Sequence, residues 1–240
     1  QAEATWNDIL WDSNVGVHKN MTSSTQGWMF KRHAGFDVVT TQPGTGTGMV
    51  IKHSLGRTPE MIWTKKRDTS NWGQNSSNSY VLDNWFVWHK DDHAENAVGY
   101  LGSNVDGGLS TVYSGTVNSL TAQFHSDVTY SDDENLMLFF ASVDGISKCG
   151  TFTGTDSNPG PTVTTGFQPR FIMIKGKNLT SNWLIVDSLR GISNSGNDYY
   201  NWLNLQNAQE NSLDIVDISS TGFTLKAAYS DTNVGQYVYY

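Results

Sequence analysis

The stretch Thr58-Pro59-Glu60-Met61-Ile62-Trp63-Thr64-Lys65 returns in altered form as Gln168-Pro169-Arg170-Phe171-Ile172-Met173-Ile174-Lys175. In both copies a proline precedes a short run rich in β-branched and aromatic residues, which is typical of the start of a strand. Two further blocks repeat in the same order, 84–89 with 182–187 and 130–140 with 229–240. Three matches in one order, at offsets of about 98 to 110 residues, predict two tandem copies of one β-rich unit.

The repeat divides the chain into a leader segment at 1–34, a first repeat at 35–146 and a second repeat at 147–240. The last apolar run of the first repeat continues past Phe140 to Val143, whereas the sequence stops at Tyr240, where that continuation would begin. We therefore expect a truncated second repeat. Its run 237–240 then either pairs with something outside this chain or marks the end of the ordered residues.

The composition favours short strands joined by many turns. Charged residues make up only 16% of the chain and hydrophobic residues 37%, and glycine, serine, threonine and asparagine fill the remainder. The only helical candidates are 92–100 and 202–209. The stretch Gly44–Gly48 has glycine at every second position, and we interpret it as a hairpin turn between strands. The pattern predicts an all-β fold of two tandem antiparallel β-sandwich units, jelly-roll-like, with little helix.

Two predicted strands indicate how the sheets are buried. In 84–89 the residues Trp85, Val87 and His89 fall on one face, and Phe86 and Trp88 on the other. The run 136–140 is continuously apolar, as expected of a strand that is buried on both sides.

Charge and cysteine content exclude several classes of partner. The formal net charge is -8, with no basic run longer than Lys65-Lys66-Arg67, so we expect no nucleic-acid partner, because phosphate binding needs a positive patch. No apolar run is long enough to span a bilayer, and we expect no membrane insertion. A single cysteine, Cys149, cannot form an intramolecular disulfide, and we interpret it as a small buried residue.

The candidate metal and catalytic constellations are incomplete. His89 and His93 are four residues apart with carboxylates between them, but His89 ends a predicted strand. No third ligand is identifiable, although Glu95 is near. Asp231, Thr232 and Asn233 could ligate a hard cation, although a tight polar turn is the favoured interpretation. The same choice applies to the acidic residues at 127 and 132–134. A Ser-His-Asp triad stays open, since its members can lie anywhere in a chain, but the Gly-x-Ser-x-Gly elbow and the P-loop are missing. We expect no enzyme activity, no metal and no cofactor.

The aromatic content is the positive signal. Nine tryptophans and ten tyrosines exceed what a sandwich core demands, and flat aromatic faces beside Asn, Asp and Gln suit the apolar faces and hydroxyls of sugars. The alternative is that some of these residues are buried packing residues or subunit contacts. The candidate ligand-binding residues are Trp72, Tyr80, Asp198, Tyr199, Tyr200 and Trp202.

Three stretches carry a family resemblance: Met29-Phe30-Lys31-Arg32 leading to Gly35-Phe36-Asp37-Val38-Val39-Thr40; 53–62; and 147–154 with 166–175. Together they resemble the tandem β-rich repeats of virion proteins from tailed bacteriophages, especially aquatic ones, of the tail-fibre or structural-protein type. The resemblance covers about 28–240 and lies on scaffold residues, so it transfers no catalytic or binding residue. It implies a part of the virion, and one that is expected to contact the host surface.

The sequence leaves three hypotheses. The first is a non-enzymatic phage tail fibre or appendage that binds a host surface glycan, assembled with other virion proteins as a homo-oligomer, with a trimer expected for a fibre. The second is a capsid decoration or tail accessory protein without receptor contact. The third is a secreted carbohydrate-binding module or a depolymerase fragment.

Overall fold

A computed structural model describes the chain at residues 10–12, 16–18, 32, 34–41, 49–66, 85–91, 97–100, 109–110, 117–124, 135–177, 179–205, 207–226, 229 and 231–240. The chain forms two compact units, Gln1–Arg32 and His33–Tyr240. In the first unit, the described residues form one antiparallel pair, β1 (Leu10–Asp12) with β2 (Gly16–His18). Both sequence repeats lie in the second unit.

The described residues of the second unit are all-β, as the sequence predicted. The strands of the first repeat are β3 (Phe36–Thr41), β4 (Met49–Lys52), β5 (Met61–Lys66), β6 (Phe86–His89), β7 (Ala97–Tyr100), β8 (Leu109–Ser110), β9 (Thr121–Phe124) and β10 (Asn135–Phe140). Those of the second repeat are β11 (Gly150–Thr153), β12 (Thr162–Thr164), β13 (Phe171–Lys177), β14 (Leu184–Asp187), β15 (Asp198–Trp202), β16 (Glu210–Leu213), β17 (Val216–Ser219), β18 (Gly222–Leu225) and β19 (Gln236–Tyr239).

The two repeats share one topology. Each builds a six-stranded antiparallel sheet, ordered β3-β10-β5-β6-β7-β8 in the first repeat and β11-β19-β13-β14-β15-β16 in the second. Each also builds a small sheet, β4-β9 in the first repeat and β12-β18-β17 in the second. The tandem match read from the sequence therefore corresponds to two copies of the same strand order.

Each repeat is a sandwich with its own core between the large and the small sheet. In the second repeat, Ile174 and Tyr237 of the large sheet pack in one cluster with Val163 and Phe223 of the small sheet. In the first repeat, Phe139 of the large sheet belongs to the same cluster as Phe124 of the small sheet. Alternation along each strand sends every second side chain into this core.

Part of the opposite face of each large sheet is also buried, where the two repeats meet in an aromatic seam. Trp63 of β5 contacts Trp183 edge-on at 6.2 Å between ring centroids, and Phe140 of β10 contacts Tyr240 at 5.0 Å. Met137 and Phe139 face the core while Phe140 faces the seam, and all three are fully buried. Leu136 and Leu138, which share the face of Phe140, are half-buried, so the predicted burial on both sides is complete only at the Phe140 end of the run.

The link between the repeats is a tight hairpin. Val143 and Ser147 exchange two backbone hydrogen bonds, of 2.9 and 3.0 Å, around Gly145, which has a φ of 73°. The Glu60 carboxylate accepts hydrogen bonds from the Ser142 backbone N–H at 2.8 Å and from Lys90 Nζ at 2.7 Å. Burial alone would raise the pKa of Glu60, but these hydrogen bonds outweigh it and lower the pKa. The carboxylate thus anchors the chain just before it crosses between repeats.

The run 237–240 pairs within the chain. Strand β19 lies between β11 and β13, and Tyr240 exchanges two further backbone hydrogen bonds with Met173, of 2.8 and 3.0 Å. The expectation that this run pairs outside the chain was therefore wrong. The pairing of this run differs from the one that the sequence match implies. The match equates Thr64 with Ile174 and Met137 with Tyr237. In the structure Met137 lies opposite Thr64, but the residue opposite Ile174 is Tyr239. Strand β19 is therefore shifted by two residues relative to the sequence match. A shift of two residues leaves each side chain on the same face of the sheet.

Two local predictions were wrong. Both helical candidates are replaced by strand or turn at the described positions: 97–100 is β7, and Trp202 ends β15 before a turn at 203–204. Cross-strand partners override local helix propensity at both places. The strands that flank the glycine-rich stretch at 44–48, which lies outside the described residues, belong to different sheets.

Candidate ligand-binding surfaces of the second repeat

Strand β15 carries four of the six sequence-predicted binding residues, and its alternation separates them. Asp198, Tyr200 and Trp202 point toward the core and are 0%, 2% and 5% exposed. Tyr199 points the other way and is 41% exposed. Trp72 and Tyr80, the other two predicted residues, lie outside the described residues.

Asp198 organises the loops at one end of the sandwich. One carboxylate oxygen accepts a hydrogen bond from the Ser193 N–H at 2.8 Å, and the other accepts from Ile215 at 2.8 Å and Val216 at 2.9 Å. Burial raises the pKa of Asp198, although the three backbone donors act in the opposite direction. With three backbone groups satisfied internally, this side chain holds the loop 188–197 against the start of β17.

Tyr200 and Trp202 are committed to packing. Their rings contact each other at 5.5 Å between centroids, and both belong to the core cluster of the second repeat. The Tyr200 hydroxyl donates to Glu210 Oε2 at 2.9 Å and lies 2.9 Å from Ser212 Oγ, and Trp202 Nε1 donates to Glu210 Oε1 at 3.3 Å. Neither side chain offers an aromatic face to a ligand in this arrangement, in agreement with the packing alternative weighed from the sequence.

Tyr199 forms an exposed surface on a rigid support. Its backbone N–H donates to Gly191 O at 3.0 Å, and its ring covers Gly191, where an added Cβ would lie 3.1 Å from Cδ2. Leu189, two residues before Gly191, is 89% exposed. It lies at the tip of a turn in which the Asp187 carboxylate accepts the backbone N–H groups of Leu189 and Arg190. Asn194 fastens the same loop to β17 by accepting from Ile218 N–H at 2.9 Å and donating to Ile218 O at 3.0 Å. We call Leu189, Gly191 and Tyr199 the Tyr199 surface.

A second surface lies at the other end of β15. Glu210 is half-buried at the start of the edge strand β16, and Tyr229, also half-buried, lies against Trp202 with ring centroids 6.2 Å apart. Burial raises the pKa of the Tyr229 phenol, and the neighbouring Asp231 carboxylate raises it further. We call Glu210 and Tyr229 the Glu210 rim. Sequence reasoning missed Glu210, because it is an isolated acid immediately after 202–209, a stretch predicted to be helical.

The turn proposed as a possible cation ligand set is a structural turn. Asp231, Thr232 and Asn233 are all buried, and Asp231 Oδ1 accepts from the Asn182 N–H at 2.9 Å. The Asn233 side chain accepts from the Thr155 N–H at 2.9 Å and donates to Ser157 O at 2.7 Å. These bonds fix the loop 154–160 beside β19, which agrees with the favoured interpretation of a tight polar turn.

The other metal-ligand candidates and Cys149 give no support for a functional site among the described residues. His93, Glu95 and the acidic positions 127 and 132–134 lie outside the described residues. Among the residues that are described, no group of three His, Cys, Asp or Glu side chains could hold a metal ion. Cys149 is 1% exposed, and burial raises the pKa of its thiol, as expected for a packing residue. Within the same part of the chain, no helix is long and apolar enough to cross a membrane.

Comparison with known proteins gives one match, to the model of a domain of unknown function, DUF7483, over residues 5–240. The chain belongs to this family. The DUF7483 match runs across both repeats without a break and therefore treats the pair as one domain. Neither the curated proteins nor the solved structures contain a match.

Proposed function

We propose that this DUF7483 chain is a non-enzymatic structural protein of a bacteriophage virion, a tail fibre or similar appendage, that contacts a glycan on the host surface. In this proposal it works as a homo-oligomer, with a trimer expected, alongside other virion proteins. The virion assignment rests on the sequence resemblance described above. The glycan contact rests on one structural observation, the exposed Tyr199 ring supported by Gly191 in a loop rich in serine and asparagine.

Physical chemistry supports Tyr199 as the contact. An aromatic ring presents a flat apolar face that suits the C–H side of a sugar, and neighbouring amide and hydroxyl groups can bond its O–H groups. The loop is also held by Asp198 and Asn194, so little conformational entropy is lost when a ligand binds. Binding residues on loops over a rigid scaffold are common for this reason.

The proposal predicts that Tyr199→Ala lowers binding. We expect the purified chain to bind host cells, and soluble polysaccharide from those cells to compete. Tyr199→Ala should weaken binding about tenfold, if the contact resembles the stacking of a nucleobase on an aromatic ring, which contributes roughly 1–3 kcal/mol. Tyr199→Phe, which keeps the ring, is the matched control and should retain most of the affinity. Equal binding by the alanine variant would contradict the role of this surface.

A purely structural role is the second candidate, and a specific observation favours it. Tyr200 and Trp202 are buried, so part of the aromatic excess serves packing. A capsid decoration or tail accessory protein would need no receptor contact. Antibody labelling of intact particles separates the two: label on tail appendages supports the first candidate, and label on the capsid together with no cell binding supports the second. Release of reducing sugar from host polysaccharide would instead point to a depolymerase.

A further inference from the structure

We infer that the Glu210 rim is a second glycan contact, selective for neutral over acidic sugars. The inference rests on the proposed glycan-binding function and assigns a site and a ligand class beyond it. Its basis is a carboxylate held by two buried donors beside a half-exposed aromatic ring.

The Glu210 carboxylate is fixed in place from inside. One oxygen accepts the Tyr200 hydroxyl at 2.9 Å and the other accepts Trp202 Nε1 at 3.3 Å. Both donors sit on side chains that are at most 5% exposed, so they cannot follow the carboxylate if it moves. Each carboxylate oxygen can accept two hydrogen bonds, and within the described part of the chain each accepts one from these side chains. Two fixed acceptors at the surface suit two neighbouring hydroxyls of one sugar ring.

The aromatic half of the site is Tyr229. Its ring is half-buried and supported by Trp202, at a 6.2 Å centroid distance and 40° between planes. A supported ring beside fixed polar groups is the usual composition of a small-molecule site, with an apolar platform and few orienting acceptors. The ring and the carboxylate are joined through Trp202, which contacts both.

Charge decides the class of sugar. Asp231 adds a second carboxylate next to Tyr229, and the chain as a whole carries a formal charge of -8. A uronate or another acidic sugar would place a like charge beside Glu210 and would be repelled. Neutral hydroxyl groups, in contrast, donate to a carboxylate in strong, charge-assisted hydrogen bonds.

The experiment measures binding of the full chain to immobilised polysaccharides, with dextran, mannan and galactan as neutral probes and alginate and polygalacturonate as acidic probes. We expect a preference for a neutral probe. Glu210→Gln keeps the shape of the side chain and should lower the affinity for that neutral probe at least tenfold. It should also reduce the ratio of the affinity for the neutral probe to the affinity for the acidic probes. Tyr229→Leu should also lower it. Ser212→Ala, which removes only the neighbouring hydroxyl bonded to Tyr200, is the matched control and should change neither value.

The outcomes separate this inference from the proposed function. If Tyr199→Ala abolishes binding and Glu210→Gln changes neither affinity nor preference, the Glu210 rim is only a structural link and the inference is overturned alone. A preference of the unmodified chain for acidic probes overturns it as well. If no polysaccharide binds, the glycan-binding proposal itself fails. Thermal unfolding of each variant checks the fold, and Tyr229→Phe, which should retain binding, replaces Tyr229→Leu if the latter does not fold.

Discussion

Gly154 in the second repeat lies at a close contact between two main-chain segments. Gly154 passes so close to the turn before β19 that an added Cβ would overlap the carbonyl group of Asn233. The Gly154 N–H also donates to Gly235 O at 2.6 Å, which holds the two segments together. The glycine is required here because only a hydrogen fits, since its neighbour is main chain and cannot rotate away.

We therefore expect Gly154→Ala to destabilise the protein by about 1–3 kcal/mol, the usual cost of forcing an extra methyl group into packed structure. The measurement is the midpoint of urea unfolding. Gly196→Ala is the matched control, because the nearest atom to its added Cβ is Ser193 Oγ at 3.9 Å, and its effect should stay within about 0.5 kcal/mol. An unchanged midpoint for Gly154→Ala would mean that the two segments separate easily.

At the same scale, the sequence identified β15 as a notable segment but could not sort its side chains. Tyr199 and Tyr200 are adjacent and identical in type, yet one is exposed and the other is buried. Alternation places neighbouring side chains on opposite faces of a strand. It does not say which face points to water, because either face can pack against another part of the protein. Glu210 carried no signal at all, since its role depends on Tyr200 and Trp202, which reach it across the sheet.

Among the strands, β19 carries several buried phenols in the interior of a sheet, between β11 and β13. Tyr237 and Tyr239 face the core of the second repeat and Tyr240 faces the seam. Burial raises the pKa of all three, that of Tyr239 to about 12. Because the folded pKa lies above the unfolded value of 10.0, the contribution of Tyr239 to stability is fully present below about pH 10 and is lost as the pH rises toward 12.

We expect the free energy of unfolding to fall steeply between about pH 10 and 12, with Tyr239 alone accounting for about 2 to 3 kcal/mol. Denaturant unfolding at a series of pH values measures the slope, and absorbance at the phenolate band follows the ionisation. Tyr239→Phe should flatten the profile. A profile that Tyr239→Phe leaves unchanged would show that the ring ionises without unfolding.

The sequence predicted strands more reliably than the connections between them. Strands such as β5 and β13 were placed within about two residues, because β-branched and aromatic runs bounded by proline and glycine are a local signal. The helical candidates failed because 97–100 and 202 are set by partners in neighbouring strands. Turn residues likewise do not reveal whether the next strand lies in the same sheet or in the other one, as the different sheets of β3 and β4 show.

Across the whole second unit, the aromatic seam joins the two repeats. Trp63 contacts both Phe140 in its own repeat and Trp183 in the other, so the rings form one connected cluster. Neither repeat can separate without exposing this cluster to water, at a cost of about 25 cal/mol for each Å² of apolar surface. Both repeats should therefore unfold in one transition.

A double-mutant cycle tests this coupling. We expect Trp63→Leu and Trp183→Leu to show an interaction energy of about 0.5–1.5 kcal/mol, as is usual for aromatic pairs in contact. Trp63→Leu combined with Phe223→Leu, a core position of the second repeat, is the control and should be additive within about 0.5 kcal/mol. Two separate unfolding transitions, or additivity for the tryptophan pair, would contradict a shared seam.

The seam also limits how a gene for such a chain can lengthen by duplication. Two copies close on each other, because each supplies the apolar sheet face that the other needs. A third copy would find both of those faces already occupied and would carry an uncovered one of its own, which favours aggregation. Growth by pairs avoids that penalty. Related genes are thus expected to contain this unit in even numbers, and an odd-numbered one should encode a protein that recruits another molecule to complete its last pair.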